Sequence, residues 1–223
     1  MPSSAETGAG PDTGRAWAAL AALLGAGAMS VFAAAAFGGP AFAAMAEAID
    51  WQPSLAWREP WRAWSAPLLH FSSLHLAVNL AGTALVGALG VVGRVPQRTA
   101  LAWLLAWPLT QFGLLARPDL AHYGGLSGVL HAGVAAAALY LIVATRGPRR
   151  FIGVALLAAL SIKVLGESPW GDALRRPAGW DIAVAPAAHA SGLVAGLLTS
   201  GIGEALLRRK PGAGSGPTID RHG

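Results

Sequence analysis

Ser127 stands in a glycine-rich stretch, Gly124-Gly125-Leu126-Ser127-Gly128, at the start of an apolar run, and His189 lies inside another apolar run about sixty residues later. An imidazole at membrane depth is costly, and such residues are by default functional. A serine flanked by glycines at a helix start has around it the unpaired backbone N–H groups that stabilise an oxyanion. The pair suggests a serine nucleophile and a histidine base set within a lipid bilayer. A second pair, His75 and Asn79, is four residues apart and shares one helical face, with His70 offset by five. An imidazole N–H and an amide NH₂ are both donors, able to hold a carbonyl oxygen as it becomes an oxyanion. His70 alone is equally well read as a histidine satisfied near the membrane interface.

These side chains need a scaffold that lipid tolerates. The chain has 223 residues, 54% hydrophobic and 12% charged, with a mean hydropathy of +0.51. A soluble domain carries roughly 25% charged residues. Apolar stretches long enough to cross a bilayer are expected at 16–38, 69–92, 99–116, 126–146, 151–166 and 182–206. The expected fold is an all-α membrane protein, a six-transmembrane-helix bundle over residues 15–207. Residues 1–14 and 208–223 read as a disordered N-terminal tail and a basic, then flexible, C-terminal tail. Ala41-Phe42-Ala43 has the form of a signal-peptidase site, but the positive region before it is thin and the apolar run long, so the first helix is expected to be retained.

Charge orients the bundle. Arg94 and Arg98 separate the second and third spans, Arg146, Arg149 and Arg150 the fourth and fifth, and Arg208, Arg209 and Lys210 follow the sixth. The alternate loops mix acid with base. Positive residues collect on the cytoplasmic side, so both termini are expected to be cytoplasmic, and the formal charge of +5 is a topology signal. No soluble basic domain is visible that would take a nucleic acid. Trp51, Trp57, Trp61 and Trp64 are expected at the membrane interface. The absence of cysteine excludes disulfides, thiolate metal sites and cysteine nucleophiles.

The sixth span carries Gly192, Gly196 and Ser200 as a small-residue stripe that permits close helix approach, with His189 on or beside it. If the neighbour is the fourth span, His189 reaches the Ser127 hydroxyl. By the expected topology, His70, His75, Asn79, Ser127 and His189 all fall at one level below the external face. No Asp or Glu lies near enough in sequence to suggest a third member, so a dyad is expected. Taken alone, Gly-x-Ser-Gly in a chain with 29 glycines reads as helix packing. Lys163 and Glu167, four apart, read most simply as a pair snorkelling at the interface, and Glu204 as another snorkelling residue.

In order, spacing and assigned span, His70-x₄-His75-x₃-Asn79, Gly125-x-Ser127-Gly128 and Ala188-His189-x₂-Gly192-x₃-Gly196 resemble the rhomboid intramembrane serine proteases, over roughly residues 16–207. Trp61-Arg62 looks like the tryptophan–arginine pair of the first rhomboid loop. The resemblance implies a water-filled cavity open to the outside, Ser127 as nucleophile and His189 as base. His75, Asn79 and the Ser127 N–H would form the oxyanion hole, supported by His70, Gly125, Gly128, His131, Gly192 and Gly196. His131 departs from the common pattern, where a tyrosine packs on the catalytic histidine; it could pack likewise or offer a hydrogen bond. Gly-Leu-Ser-Gly-Val-Leu-His, with Lys163-x₃-Glu167, looks like the rhombosortase branch, associated with cleaving envelope proteins near a C-terminal Gly-Gly, a transmembrane segment and a basic tail.

The partners so implied are transmembrane protein substrates and the lipid bilayer of a bacterial cytoplasmic (inner) membrane, with no cofactor and no metal, and with the oligomeric state left open. Three other classes compete with this reading. His70, His75, His122, His131 and His189 could supply imidazoles to a metal or haem, though no His-Glu-x-x-His is present. A catalytically inactive rhomboid-like protein that binds membrane clients would not need Ser127 and His189 together. A transporter is disfavoured by the lack of an internal repeat.

Overall fold

The computed structural model describes residues 14–35 and 39–208. The expected tails at 1–14 and 208–223 lie outside the described residues apart from Gly14 and Arg208, and so do Arg209 and Lys210. The helices in chain order are α1 (Arg15–Ala35), α2 (Gly39–Ile49), the single turn α3 (Arg62–Ser65), α4 (Ser73–Val92), α5 (Gln97–Phe112), α6 (Ser127–Ala144), α7 (Pro148–Gly166) and α8 (Pro186–Arg208). A 3₁₀ turn extends α5 to Ala116. Among the described residues there is no β-sheet, only the isolated bridges Trp51–Tyr123 and Arg175–Val184. The architecture is an all-α bundle.

Among the described residues five helices are long and apolar enough to cross a membrane: α1, α4, α5 with its terminal turn, α6 and α8. They match five of the six expected spans. The fifth expected span, α7, has 19 residues, but Arg149 and Arg150 at one end and Lys163 near the other interrupt its apolar surface. α4 begins at Ser73 rather than residue 69. The Ser72 hydroxyl accepts the His75 N–H at 3.0 Å and so fixes the helix start. His70 therefore precedes the helix.

α6 is the axis of the bundle, packed against α4, α5, α7 and α8. Its sequence explains this: Gly, Ala, Val and Leu occupy every face, and a helix apolar all round belongs inside. Around it, Trp17 of α1 stacks on Trp103 of α5 with ring centroids 5.1 Å apart. Gly90 of α4 makes room, since a Cβ there would run into the Trp17 ring. The Trp103 indole N–H donates to Val129 O at 2.8 Å, tying α5 to α6.

Side-chain bonds gather the basic loops at one end of the bundle. Arg149 donates to Gly93 O at 2.5 Å, Arg98 pairs with Glu204 at 3.0 Å, and Arg208 donates to Val143 O at 3.0 Å. Glu204 is thus an ion-pair partner between α5 and α8. At the opposite end a second core forms around Trp51, Leu114, Leu120 and Tyr123. Trp51 is fully buried there, its backbone paired with Tyr123, which corrects its expected interfacial placement. Trp57, Trp61 and Trp64 remain exposed.

Candidate active site

Ser127 is the first residue of α6, and the chain leading to it is pinned from several sides. Tyr123 pairs with Trp51 through both backbone groups, its hydroxyl donates to Gly125 O at 3.2 Å, and the Gly125 N–H donates to Ala66 O at 3.1 Å. Gly125 has φ +124°, a conformation that strongly favours glycine. A Cβ there would also sit 2.6 Å from His75 Nε2. That one position thus needs glycine twice over, for the turn into α6 and for the ring that faces it.

α8 meets α6 along the small-residue stripe. A Cβ on Gly192 would collide with the Gly128 backbone, and one on Gly196 with the Ala132 backbone. One turn on, the Ser200 hydroxyl donates to Ala136 O at 3.2 Å. Gly128 itself faces Ala188 O, and the Ser191 hydroxyl donates to Thr110 O at 2.7 Å, fixing α8 to α5 as well. Backbone-to-backbone contact at this end sets the register that carries His189 over Ser127. Its Nε2 lies 3.0 Å from Ser127 Oγ.

His75 and Asn79 are buried on one face of α4 and look into the same cavity, about 510 Å³ in volume and lined also by Ser127, His131, Lys163, Glu167 and His189. His70 stands behind His75, its ring centroid 4.7 Å away, with Nδ1 held by Leu68 O at 3.0 Å. His131 takes the packing role anticipated for it: its ring stacks on His189 at 4.3 Å and 11°. Its Nδ1–H donates to Ser127 O at 2.6 Å. A second cavity of about 340 Å³, bordered by Phe71, His122, Tyr123 and Asp181, shares His75 and Ser127 with the first.

The expectation that no carboxylate approaches His189 is overturned. Glu167, one residue beyond α7, places Oε2 2.6 Å from His189 Nδ1, while its Oε1 accepts from Lys163 Nζ at 2.9 Å. Burial pushes the Glu167 carboxyl up, but the bonds from His189 and Lys163 outweigh it and hold the group at about 2. Glu167 is therefore ionised at neutral pH. Lys163 and Glu167 do pair, yet that pairing leaves out the second oxygen. The sequence signal was present, a charged pair four residues apart; which way α7 turns that pair was not.

His122 is not part of this cluster. Its Nδ1 bonds Asp50 Oδ2 at 2.6 Å, and Asp50 is in turn paired with buried Arg62 at 3.1 Å. Arg62 also donates to Glu59 and to the carbonyls of Glu47 and Asp50, so the Trp61-Arg62 pair staples the loop before α4 through its arginine. Among the described residues no group of three or more His, Cys, Asp or Glu side chains is placed to hold a metal ion.

The fold and the site together define a multi-pass membrane protein built round one buried central helix, with a largely apolar cavity at one end into which a few polar and charged side chains converge. The chain matches the Rhomboid domain family over residues 57–204, more than half its length, and it belongs to that family. No curated protein matches the chain.

Proposed function

We propose that the protein is an intramembrane serine endopeptidase in which Ser127 attacks the scissile carbonyl and His189 is the general base. The observation that carries this is the 3.0 Å approach of His189 Nε2 to Ser127 Oγ, within the range a base needs to take the hydroxyl proton. As Oγ bonds to the carbonyl carbon, charge develops on the substrate oxygen. The Ser127 N–H is one of the unpaired donors of the first turn of α6, and His75 and Asn79 face the same cavity. These three groups would hold the oxyanion. His189 then returns the proton to the leaving amine, and water hydrolyses the acyl-enzyme.

The two cavities that meet at Ser127 give an extended chain room on both sides of the scissile bond. In this reading α7 completes a six-crossing bundle with both termini and the basic end in the cytoplasm of a bacterium, and the site opens toward the external face. The substrates are membrane-anchored proteins of the rhombosortase type, cut near a C-terminal Gly-Gly before a transmembrane segment and a basic tail. Glycine suits such a site because it leaves a helix readily and fits beside crowded backbone.

The test is labelling of the purified protein by a fluorophosphonate probe in detergent. Wild type is expected to label, whereas folded Ser127→Ala and His189→Ala proteins are not. Equal labelling of the Ser127→Ala protein would refute the assignment.

A further inference from the structure

His189 offers its two ring nitrogens to two different residues, Nε2 to Ser127 Oγ at 3.0 Å and Nδ1 to Glu167 Oε2 at 2.6 Å. We infer that Glu167 is the positioning residue for His189, so that the protein works with a Ser127–His189–Glu167 triad in place of a dyad. The inference rests on the protease reading above and deepens it.

The first argument is the tautomer. An ionised carboxylate only accepts hydrogen bonds, so at 2.6 Å the proton sits on Nδ1 and is donated to Glu167. Nε2 then keeps its lone pair toward the Ser127 hydroxyl, which is the form a base requires. One competitor is close: Lys163 Nζ lies 2.9 Å from the same Nδ1. Were Lys163 to donate there, Nε2 would carry the hydrogen and the serine proton would have no acceptor. The carboxylate decides between the two states, because its lone pairs repel a bare Nδ1.

The second argument is that Glu167 is itself held. Lys163 Nζ donates to Glu167 Oε1 at 2.9 Å and to His131 Nε2 at 2.8 Å. The His131 Nδ1–H donates in turn to Ser127 O, and its ring lies flat on His189. The chain of contacts from Ser127 through His189, Glu167, Lys163 and His131 thus closes on Ser127 again. It joins α6, α7 and α8, and it fixes the ring of His189 at its edge and on its face.

The third argument is charge. When Oγ bonds to the carbonyl carbon, its proton moves to Nε2 and the carbonyl π pair moves to oxygen; the Nδ1 proton stays where it is. The resulting imidazolium sits close to the Lys163 ammonium, an arrangement that a low-dielectric cavity makes costly. The Glu167 carboxylate between them offsets it. When the C–N bond breaks, the Nε2 proton passes to the amine and His189 is neutral again. Glu167 is never protonated in the cycle.

The experiment compares Glu167→Gln and Glu167→Asp with wild type, reading probe-labelling rate, the kcat and KM of peptide cleavage, and the tautomer of ¹⁵N-labelled histidine by NMR. In wild type the His189 resonance is expected to report a hydrogen on Nδ1. Glu167→Gln should lower the labelling rate and kcat by up to about 10⁴-fold, the loss seen when a triad carboxylate is neutralised. KM should stay within about threefold, and the Nδ1–H signal should be lost. Glu167→Asp, which keeps the charge on a shorter arm, should recover at least tenfold of the loss. A hydrogen on Nε2 in the wild-type protein at neutral pH would overturn the inference without any variant. Wild-type rates in Glu167→Gln would overturn it too, with the protease reading left standing if Ser127→Ala stays unlabelled.

Discussion

A donor that works only while charge builds on the substrate oxygen should be removable without unfolding the protein or weakening ground-state binding. Asn79 fits that description. It is buried at the cavity wall, and its amide nitrogen lies on the side facing the Gly125 backbone, beside His75 Nε2. Asn79→Ala is expected to lower kcat by roughly 10² to 10³-fold, with KM and thermal stability near wild type, measured on a cleavable membrane-anchored reporter. An unchanged kcat would remove Asn79 from the oxyanion hole. The juxtaposition of His75 and Asn79 was legible in the sequence because their spacing is local and they share a face whatever surrounds α4, whereas the glycines around Ser127, taken alone, read as helix packing. Glu167 was not legible in the same way. Its i,i+4 partner Lys163 already accounted for its charge, and only the turn of α7 about its own axis points the second carboxylate oxygen at His189.

At the level of helices, the contact between α6 and α8 is where packing becomes chemistry. The glycines at 192 and 196 were read from the sequence as a surface for close approach, and they do meet α6 backbone to backbone. The identity of the neighbour had to be supplied by the fold. Glycines on the same helix allow a controlled comparison. Gly196→Ala puts a methyl group against the Ala132 backbone and should destabilise by about 1–3 kcal/mol, the usual cost of overpacking, while also slowing probe labelling as His189 is pushed off Ser127. Gly203→Ala, where a Cβ meets nothing within 4 Å, should be neutral or stabilising by up to about 1 kcal/mol from helix propensity. Thermal unfolding in detergent distinguishes the two, and equal melting temperatures would refute the packing account. The start of α4 shows the complementary lesson: apolar patterning carried the expected span back to residue 69, but the Ser72 cap and the turn after Leu68 end it at Ser73.

For the molecule as a whole, hydropathy alone anticipated the all-α bundle, and five of its helices meet the requirement of length and apolarity. The basic loops, far apart in sequence, do converge on one end. Trp51 shows what hydropathy misses: an aromatic in a loop is interfacial or core depending on what folds over it, and here Tyr123 and Leu120 do. The helix over the fifth expected span, α7, has a further consequence. Between Arg150 and Lys163 its uncharged stretch is twelve residues, about 18 Å of helix, against a hydrocarbon core of roughly 30 Å. If α7 crosses the bilayer, as proposed above, such a mismatch is met by local thinning of the bilayer or by reaching of the flanking side chains, at a cost of fractions of a kcal/mol per Å. The side chains that would have to reach are Lys163 and its neighbour Glu167, whose carboxylate holds His189. Reconstituted in vesicles of increasing acyl-chain length, the protein is expected to label several-fold more slowly as the bilayer thickens, and Glu167→Gln, already uncoupled, should show little of that dependence. Lipid thickness would then act as an effector of the reaction, read through one short helix.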